Sequence, residues 1–306
     1  MKGDDMAHKV FIDGEAGTTG LQIRDRLAPR RDIELVQLDP ARRKDPLARH
    51  DALAEADIAI LCLPDAAARE AVELAAGLPV RFIDASTAHR VAPGWVFGFP
   101  ELAPGAREAI ASAARVSNPG CYSTGAIALA APLVAAGLVA PDEIVSINAV
   151  SGYSGGGKEL IAEMETPGAP AHFTYALAQG HKHLPEIMRH AGLTRRPVFA
   201  PSVGQFAQGM TVQIPLHLNG RRIADLHDAL AAHYQGARFV RVVEPAPRVV
   251  PTALNDTNEL HLSVHGSDEN GCAVLVAVLD NLGKGASGAA VQNLNLMIGA
   301  DEAAGL

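Results

Sequence analysis

The sequence predicts an α/β protein, with a doubly wound parallel sheet in its first part and an α+β domain in its second. Up to about residue 120, short apolar runs alternate with helical stretches, which is typical of a parallel sheet with helices on both faces. Beyond residues 140–150 the chain becomes strand-rich. No linker or low-complexity tract separates the two parts, so we expect two adjoining domains.

The predicted strands of the first sheet are short and apolar. They are Val10–Asp13, Ile33–Leu38, Ile58–Leu63, Val80–Asp84 and Arg115–Ser117. The carboxyl ends of parallel strands share one edge of a sheet, so the loops after these strands are expected to line one ligand crevice. After the third strand, Asp65 is predicted to cap the helix Ala66–Ala75.

Six further runs predict the sheet of the second domain. They are Ile144–Val150, Pro197–Val203, Gly209–Leu218, Phe239–Val243, Leu260–Val264 and Cys272–Leu279. The third run places Met210, Val212 and Ile214 on one face, which indicates a sheet with one covered side. A last helix, predicted from an apolar stripe, begins near Ala286 and ends at Gly299.

Composition and charge exclude several classes of protein. A net charge of −8 argues against nucleic acid and anionic membrane surfaces as partners. Cys62, Cys121 and Cys272 are far apart, so we expect no disulfide framework and no metal site, and we interpret Cys62 and Cys272 as structural. Reduced thiols predict a cytoplasmic protein. We expect no signal peptide, because residues 1–8 are polar, and no membrane span, because no apolar run reaches ~18 residues.

A glycine-rich turn joins the first predicted strand to the first helix. Gly14, Gly17 and Gly20 have the spacing G-x-x-G-x-x-G, a variant of the dinucleotide-binding fingerprint. The first two would let the backbone approach a pyrophosphate, and the third would allow close packing of helix on strand. Thr18 and Thr19 would add hydroxyl donors. An ordinary tight turn is the structural alternative.

The end of the second strand bears on the choice of nicotinamide cofactor. Asp39 stands about where an acidic residue binds the adenine ribose of NAD. Arg42 and Arg43 follow it and would hold the 2′-phosphate of NADP. A solvated loop is the alternative, and we predict NADP because of the two arginines.

Cys121 follows the turn Pro119-Gly120 and opens a long Ala-rich helix. Amide groups and the positive end of the helix dipole favour a thiolate at this position. Cys121 is therefore a candidate nucleophile. A buried structural cysteine is the alternative.

A second glycine-rich segment, Ser151–Lys158, follows a predicted strand with G-x4-G-K spacing. Glu159 stands where an NTPase would place Ser or Thr on Mg²⁺, so the segment fails as an NTPase signature. Its backbone is predicted to contact an anion such as inorganic phosphate. A flexible turn is the alternative.

Two histidines, His181 and His183, flank Lys182 just before a predicted helix that starts at Pro185-Glu186. A metal site would need further ligands, and none with suitable spacing is evident. Proton transfer suits histidine better, because its ordinary pKa lies near neutrality. Exposed histidines without a role are the alternative. A nucleotide turn, a thiolate and a histidine together fit a dehydrogenase that works through a thioester.

These motifs resemble the short-form N-acetyl-gamma-glutamyl-phosphate reductase family of arginine biosynthesis. The resembling stretches are Gly14–Leu21, Ser117–Thr124, His181–Ile187 and Asp280–Met297, and together they span nearly the whole chain. Aspartate-semialdehyde dehydrogenase has a similar architecture, and the glycine turn alone does not exclude it.

The resemblance implies NADPH-dependent reduction of N-acetyl-gamma-glutamyl phosphate to the 5-semialdehyde, with release of inorganic phosphate. It implies that Cys121 forms the thioester, that Asn118 and the Cys121 amide stabilise the oxyanion, and that His181 or His183 is the acid/base. Contacts to substrate or phosphate are implied for Ser151, Gly152, Ser154 and Gly155. Contacts to NADP are implied for Gly14, Gly17, Thr18, Thr19, Gly20, Arg42, Arg43, Ser86, Lys284 and Gly285.

The resemblance also implies a discontinuous Rossmann-type domain, because the last helix would return to the first domain. Residues 1–118 and 283–306 would bind NADP, and residues 119–282 would carry catalysis and assembly into a homodimer or homotetramer. Two hypotheses compete with this function. One is a semialdehyde dehydrogenase for another acyl phosphate, such as aspartyl phosphate, and the other is a non-catalytic nucleotide-sensing protein. A cysteine hydrolase is less well supported, because it would leave the glycine turn without a purpose.

Overall fold

The computed structural model describes residues 7–306, and the prediction about residues 1–8 concerns mainly residues outside this range. The chain forms two compact units, each with its own sheet. The first comprises the residues up to Pro100, Gly105–Pro119 and Ala286–Leu306. The second comprises Glu101–Pro104 and Gly120–Gly285. In the described residues, no helix is both long enough and apolar enough to cross a membrane.

The first part of the chain alternates strands and helices. The elements are β1 (His8–Asp13), α1 (Thr18–Leu27), β2 (Ile33–Val36), α2 (Pro46–Glu55), β3 (Ile58–Leu61), α3 (Asp65–Leu74), β4 (Arg81–Asp84), β5 (Val96–Phe97), α4 (Ala106–Ser112) and β6 (Arg115–Ser117). The six strands form a parallel sheet in the order β2-β1-β3-β4-β6-β5. This confirms the predicted doubly wound sheet.

Alternating side chains of these strands fill two cores, because successive residues of a strand face opposite sides. Ile12, Ile60 and Ile83 belong to one buried cluster, and Phe11 and Phe82 belong to the other. The strand order changes direction between β1 and β3. In open α/β sheets, such a point is where ligands bind beyond the carboxyl ends of the strands.

The rest of the chain builds the second unit and then a last helix. The elements are α5 (Cys121–Ala135), β7 (Ser146–Gly152), α6 (Gly157–Met164), β8 (His172–Thr174), α7 (Leu184–Ala191), β9 (Val198–Gly204), β10 (Met210–His217), α8 (Ile223–His233), β11 (Val240–Val242), β12 (Leu260–Ser267), β13 (Cys272–Leu279) and α9 (Gly288–Ile298). A mixed seven-stranded sheet has the order β11-β12-β13-β10-β7-β9-β8.

Helix α5 is the central element of the second unit. Its sequence is apolar around most of its circumference, and most of its residues are buried. A helix with this composition must be covered on all sides. It contacts α7 and α8 as well as the strands β10 and β13. The sheet and the two helices therefore hold the first turn of α5, which carries Cys121.

Helix α9 returns to the first unit, as predicted. It contacts α1, α4 and β4, and Val291, Leu294 and Met297 belong to the same buried cluster as Ile23 of α1. The left-handed conformation of Gly299, with φ 70°, ends the helix.

Two local expectations were wrong, and two short strands were missed. The N-cap of α3 is Pro64, and Asp65 is the first residue of the helix, where its side chain accepts a hydrogen bond from the amide of Thr87 (3.0 Å). Cys272 is exposed at the start of β13, because the apolar run begins one residue later. The short strands β5 and β8 were not predicted, since two or three residues carry too weak a periodicity.

Candidate active site

Cys121 occupies the first position of α5 and is partly exposed. Gly120 precedes it as the N-cap and has no side chain with which to cap the helix. Glu186 of α7 supplies the missing acceptor. Its Oε1 accepts a hydrogen bond from the Gly120 amide (2.8 Å), and its Oε2 accepts one from the Ser123 hydroxyl (2.7 Å). Helix α5 is thus capped by a residue from another helix.

The two histidines lie together, as their spacing suggested. Their ring centroids are 4.7 Å apart, and His183 is the buried N-cap of α7, whereas His181 is partly exposed. Nδ1 of His181 accepts a hydrogen bond from the His183 amide (3.2 Å). In the neutral ring the proton is therefore on Nε2, which lies 3.3 Å from the Tyr175 hydroxyl.

Two tyrosines connect the histidines to the start of α5. Tyr122 follows Cys121 and packs its ring against both histidines, with centroid separations of 5.9 Å to His181 and 5.8 Å to His183. Its hydroxyl donates to the Ser202 carbonyl (3.0 Å), and burial raises its pKa far above the ordinary range. Burial, with a smaller contribution from Cys121, raises the pKa of Tyr175 to about 12. At neutral pH both hydroxyls stay protonated and serve as hydrogen-bond groups.

The loop that carries His181 is held by Gln179. Its side-chain carboxamide accepts from the Phe199 amide (2.8 Å) and donates to the Phe199 carbonyl (2.9 Å), as a neighbouring strand would. Ala176 and Gln179 have φ values of 53° and 59°, in a region that costs roughly 1–2 kcal/mol per residue for side chains of this type. The paired hydrogen bonds offset this cost and fix the approach to His181.

The glycine-rich segment after β7 differs from the predicted anion cradle. The amides of Gly152, Tyr153 and Ser154 donate to carbonyls of residues 206–209. These three amides are engaged within the protein and are not available to an anion. The Ser154 hydroxyl accepts from Asn281 (3.0 Å), and the hydroxyl of the buried Ser151 donates to the Gly152 carbonyl (3.0 Å).

The segment before α9 passes beside Cys121. A Cβ on Gly285 would lie 2.9 Å from Cβ of Cys121, so only glycine fits there without a shift. Lys284, for which a contact with the cofactor was predicted, lies in the same segment. Its ammonium group forms a buried ion pair with Glu101 (2.8 and 3.0 Å). Sequence analysis did not identify Glu101 or Glu186, because their partners are distant in sequence.

In the first unit, the glycine turn packs closely against its neighbours. Gly14 has φ 90°, and a Cβ there would lie 2.3 Å from the Cys62 carbonyl oxygen. A Cβ on Gly20 would lie 2.7 Å from the Gly14 oxygen, so α1 packs directly against the turn. Gly17 is the N-cap of α1, and Thr18 and Thr19 open the helix. First-turn amides and the helix dipole make this end suited to a phosphate.

The residues after β2 have distinct partners. Asp39 accepts from the Ala41 amide (2.9 Å) and so closes a local turn. Arg42 forms an exposed ion pair with Asp45 (2.8 Å). Arg43 is exposed, and within residues 7–306 the structure gives it no ion pair. Of the two arginines, Arg43 therefore has the side chain more accessible to a 2′-phosphate.

Beyond β4, Asp84 organises a buried polar cluster that sequence analysis missed. Its carboxylate accepts from the Ser86 hydroxyl (2.8 Å) and lies 2.6 Å from Nδ1 of His89. The His89 ring stacks on Trp95 with centroids 4.1 Å apart. Ser86, which was assigned to the cofactor, is thus held by a carboxylate at the end of a central strand. A carboxylate-Ser-His set directly after a strand is the sequence signal that would have indicated this cluster.

Asn118 is buried, and its side chain is bonded within the first unit. Its amide nitrogen Nδ2 donates to the Ala286 carbonyl (2.9 Å), and its Oδ1 accepts from Asn293 (3.0 Å). These bonds tie the end of β6 to the returning C-terminal segment. The oxyanion contact expected of Asn118 would have to use its second Nδ2 hydrogen. In the described residues, no group of three or more His, Cys, Asp or Glu side chains is arranged to hold a metal.

Comparison with known proteins places these features in one family. The "Semialdehyde dehydrogenase, dimerisation domain" model matches residues 121–281, and the "Semialdehyde dehydrogenase, NAD binding domain" model matches residues 41–113. N-acetyl-gamma-glutamyl-phosphate reductase of Brucella ovis is 54% identical, over 96% of this chain and 100% of that protein. N-acetyl-gamma-glutamyl-phosphate reductase 2 of Pseudomonas putida is also 54% identical, over 97% of this chain and 98% of that protein.

Solved structures with the same fold are more distant in sequence. Aspartate semialdehyde dehydrogenase II of Vibrio cholerae has a TM-score of 0.72 at 15% identity, covering 96% of this chain and 98% of that one. The Candida albicans aspartate semialdehyde dehydrogenase with NADP has a TM-score of 0.68 at 14% identity, covering 95% and 98%. They confirm the fold, and the full-length identities confirm the resemblance seen in the motifs. The chain belongs to the N-acetyl-gamma-glutamyl-phosphate reductases, a family of oxidoreductases built from semialdehyde dehydrogenase domains.

Proposed function

We propose that this protein reduces N-acetyl-gamma-glutamyl phosphate to N-acetylglutamate 5-semialdehyde with NADPH and releases inorganic phosphate. The observation that carries the proposal is the placement of Cys121 at a helix start beside the Tyr122, Tyr175 and His181 cluster. The names of the 54% identical relatives supply the substrate.

The first half of the reaction is acyl transfer to the thiol. Sγ of Cys121, as thiolate, attacks the acyl carbon, and the bond from that carbon to the phosphate oxygen breaks with phosphate as the leaving group. First-turn amides of α5 stabilise the developing oxyanion, a contribution whose loss typically costs about 10²–10³ in rate. Asn118 is proposed to assist through its second amide hydrogen.

The second half is reduction of the thioester. NADPH, when bound, supplies the hydride that reaches the thioester carbonyl carbon. His181 donates a proton to the oxygen as the hydride arrives, which gives a hemithioacetal. It then takes that proton back as the C=O bond of the aldehyde forms and the C–S bond breaks, and Cys121 leaves as the thiolate. We assign this role to His181, because its ring is partly exposed whereas His183 is buried. Tyr175 orients Nε2 of His181 through its hydroxyl.

We propose that the cofactor diphosphate binds at the α1 end, on Gly14, Gly17, Thr18, Thr19 and Gly20. The close approaches at Gly14 and Gly20 support this fit. Arg43, with Arg42 after release from Asp45, is proposed to select NADP. If so, Arg43→Ala raises KM for NADPH about tenfold and leaves KM for NADH unchanged.

The second unit is proposed to assemble the protein into a homo-oligomer, since the matching family model is described as a dimerisation domain. Ser151, Gly152, Ser154 and Gly155 are proposed to line the substrate side. In this segment, Gly155 is exposed and the two serines are buried.

The test is the reaction run in reverse. N-acetylglutamate semialdehyde, NADP⁺ and inorganic phosphate should yield NADPH, and omission of phosphate should stop it. NADPH formed without phosphate or arsenate would contradict the acyl-phosphate mechanism. Faster turnover of aspartate semialdehyde would assign the protein to another substrate, and absence of turnover with both would favour a nucleotide sensor.

Substitutions assign the roles. Cys121→Ser should abolish turnover and leave the affinity for NADPH near that of the wild type, measured by calorimetry. His181→Gln should lower kcat more than His183→Gln in folded protein. The reverse order would transfer the acid/base role to His183.

A further inference from the structure

We propose that Glu186 is a positioning residue that fixes the first turn of α5 and thereby aims Cys121. This inference rests on the proposed role of Cys121 as the nucleophile. Glu186 lies within the stretch His181–Ile187, but the proposed chemistry assigns it no role, and its contacts indicate one.

The geometry is specific. Glu186 is 1% exposed, and both of its oxygens accept hydrogen bonds from the turn that contains Cys121. One comes from the residue before Cys121 and the other from the second residue after it. The first intrahelical bond of α5, from the Thr124 amide to the Gly120 carbonyl (2.8 Å), lies between them. The carboxylate therefore clamps the turn from both sides of the thiol.

The need for such a clamp follows from Gly120. A glycine N-cap leaves the chain flexible and provides no side-chain acceptor. A carboxylate at the positive end of the helix is stabilised by the dipole and restores the missing cap. α7, which carries Glu186, begins at His183, so the same helix joins the nucleophile turn to the histidine segment.

The clamp has an electrostatic cost. A negative charge beside a thiol disfavours the thiolate, so Glu186 does not serve to acidify Cys121. Tyr122, which follows Cys121, packs against His181 and His183, and Tyr175 packs against His181, so these four titratable groups belong to the same surroundings. Glu186 therefore has two opposite effects on Cys121: it positions the thiol, and its charge disfavours the thiolate. Different substitutions of Glu186 separate these effects.

Glu186→Gln removes the charge and keeps the geometry, because its amide oxygen accepts from Gly120 and its NH₂ donates to the Ser123 hydroxyl. Glu186→Ala removes the charge and both hydrogen bonds. Ser123→Ala removes only the hydrogen bond from the Ser123 hydroxyl. Glu108→Gln is the matched control, since Glu108 is an exposed carboxylate in the first turn of α4.

Two readouts are compared in folded protein. One is kcat with the affinity for NADPH. The other is the rate of Cys121 alkylation by iodoacetamide against pH, without substrate, with peptide mapping to separate Cys62 and Cys272. The alkylation readout does not depend on the proposed reaction, so a wild type without turnover would refute that reaction and still leave this inference tested.

We expect Glu186→Ala to lower kcat roughly 100-fold with unchanged NADPH affinity, as small displacements of a reacting group do. Glu186→Gln should retain kcat within about threefold and shift the alkylation profile to lower pH by roughly half a unit or more. Ser123→Ala should fall between the two in kcat, and Glu108→Gln should match the wild type.

Wild-type kcat in Glu186→Ala, or a wild-type alkylation profile in Glu186→Gln, would overturn the proposal. If Glu186→Ala does not fold, Glu186→Gln and Ser123→Ala decide it. An unshifted alkylation profile in Glu186→Gln, together with an unaltered kcat in Ser123→Ala, then counts against a positioning role.

Discussion

Gly285 shows how one residue controls the space around Cys121. Besides its approach to Cys121, a Cβ at this position would lie 3.1 Å from the Asp280 carbonyl oxygen. Two neighbours would therefore have to move to admit a methyl group. One of them is the residue that is proposed to form the thioester.

Gly285→Ala should destabilise the protein by about 1–3 kcal/mol, the usual cost of overpacking, and should lower kcat. Urea unfolding and steady-state kinetics measure the two effects. Gly180→Ala is the control for stability, since a Cβ there would contact nothing within 4 Å. Equal stabilities of the two variants would show that the backbone around residue 285 shifts at little cost in free energy.

Cys62 provides a pH-dependent test. Burial, with smaller contributions from Asp84 and Asp13, raises its pKa from 9.0 to about 12. Between these values the unfolded thiol ionises while the folded thiol keeps its proton, so stability falls as pH rises. Cys62→Ala should lose less stability between pH 8 and 10.5 than the wild type, measured by urea unfolding. The exposed Cys272, replaced by Ala, should leave the slope unchanged, and identical slopes in all three proteins would refute the expectation.

At the residue scale, groups marked by local chemistry were predictable. Cys121 followed a Pro-Gly turn, and Gly14 and Gly20 followed a strand, so both positions could be inferred from neighbouring residues. Glu186 was known only as part of a helix start, because its partners at Gly120 and Ser123 lie more than 60 positions away. The backbone bonds that engage residues 152–154 were hidden for the same reason.

At the element scale, a buried ion pair joins the end of β1 to two helices. Arg49 of α2 donates to the Asp13 carboxylate (2.8 and 3.0 Å) and also lies near Glu70 of α3. Burial is the largest influence on Asp13 and raises its pKa, although Arg49 opposes the shift. Asp13 is the last residue of β1 and directly precedes Gly14. The pair therefore fixes the strand end at which the glycine turn begins.

Arg49→Met should destabilise the protein by about 3–5 kcal/mol, because it leaves a buried carboxylate without its cation. Adding Asp13→Asn should recover part of this loss, as a double-mutant cycle in urea would show. Arg241→Met, which removes an exposed pair with Glu259, should cost far less stability. If Arg49→Met is no more harmful than that control, the pair is not a structural link.

On the scale of the whole molecule, the first unit is completed by the end of the chain. Helix α9 contributes Leu294, which is fully buried, to the cluster formed with α1 and the central strands. Within this unit, Arg81 of β4 also donates to the Met297 carbonyl (2.7 Å). A cofactor-binding unit that spans both ends of the sequence cannot be complete until the last helix is in place.

Leu294→Ala should therefore destabilise the first unit by about 2–5 kcal/mol. Hydrogen exchange should quicken in β1, β3 and β4, and NADPH affinity should weaken. The exposed Leu47, replaced by Ala, should change stability by no more than about 0.5 kcal/mol. Unchanged exchange in the first sheet would mean that α9 is dispensable to it.

The sequence by itself determined the parallel sheet, the glycine turn between β1 and α1, and the cysteine at a helix start. Each depends on periodicity or turn chemistry within a few residues. Such local preferences are the same whatever the rest of the chain does. Only the tertiary structure decided which groups hold them. Glu186 caps the turn of Cys121, and Glu101 takes the ammonium group of Lys284, because burial requires each polar group to find a partner whatever its distance along the chain.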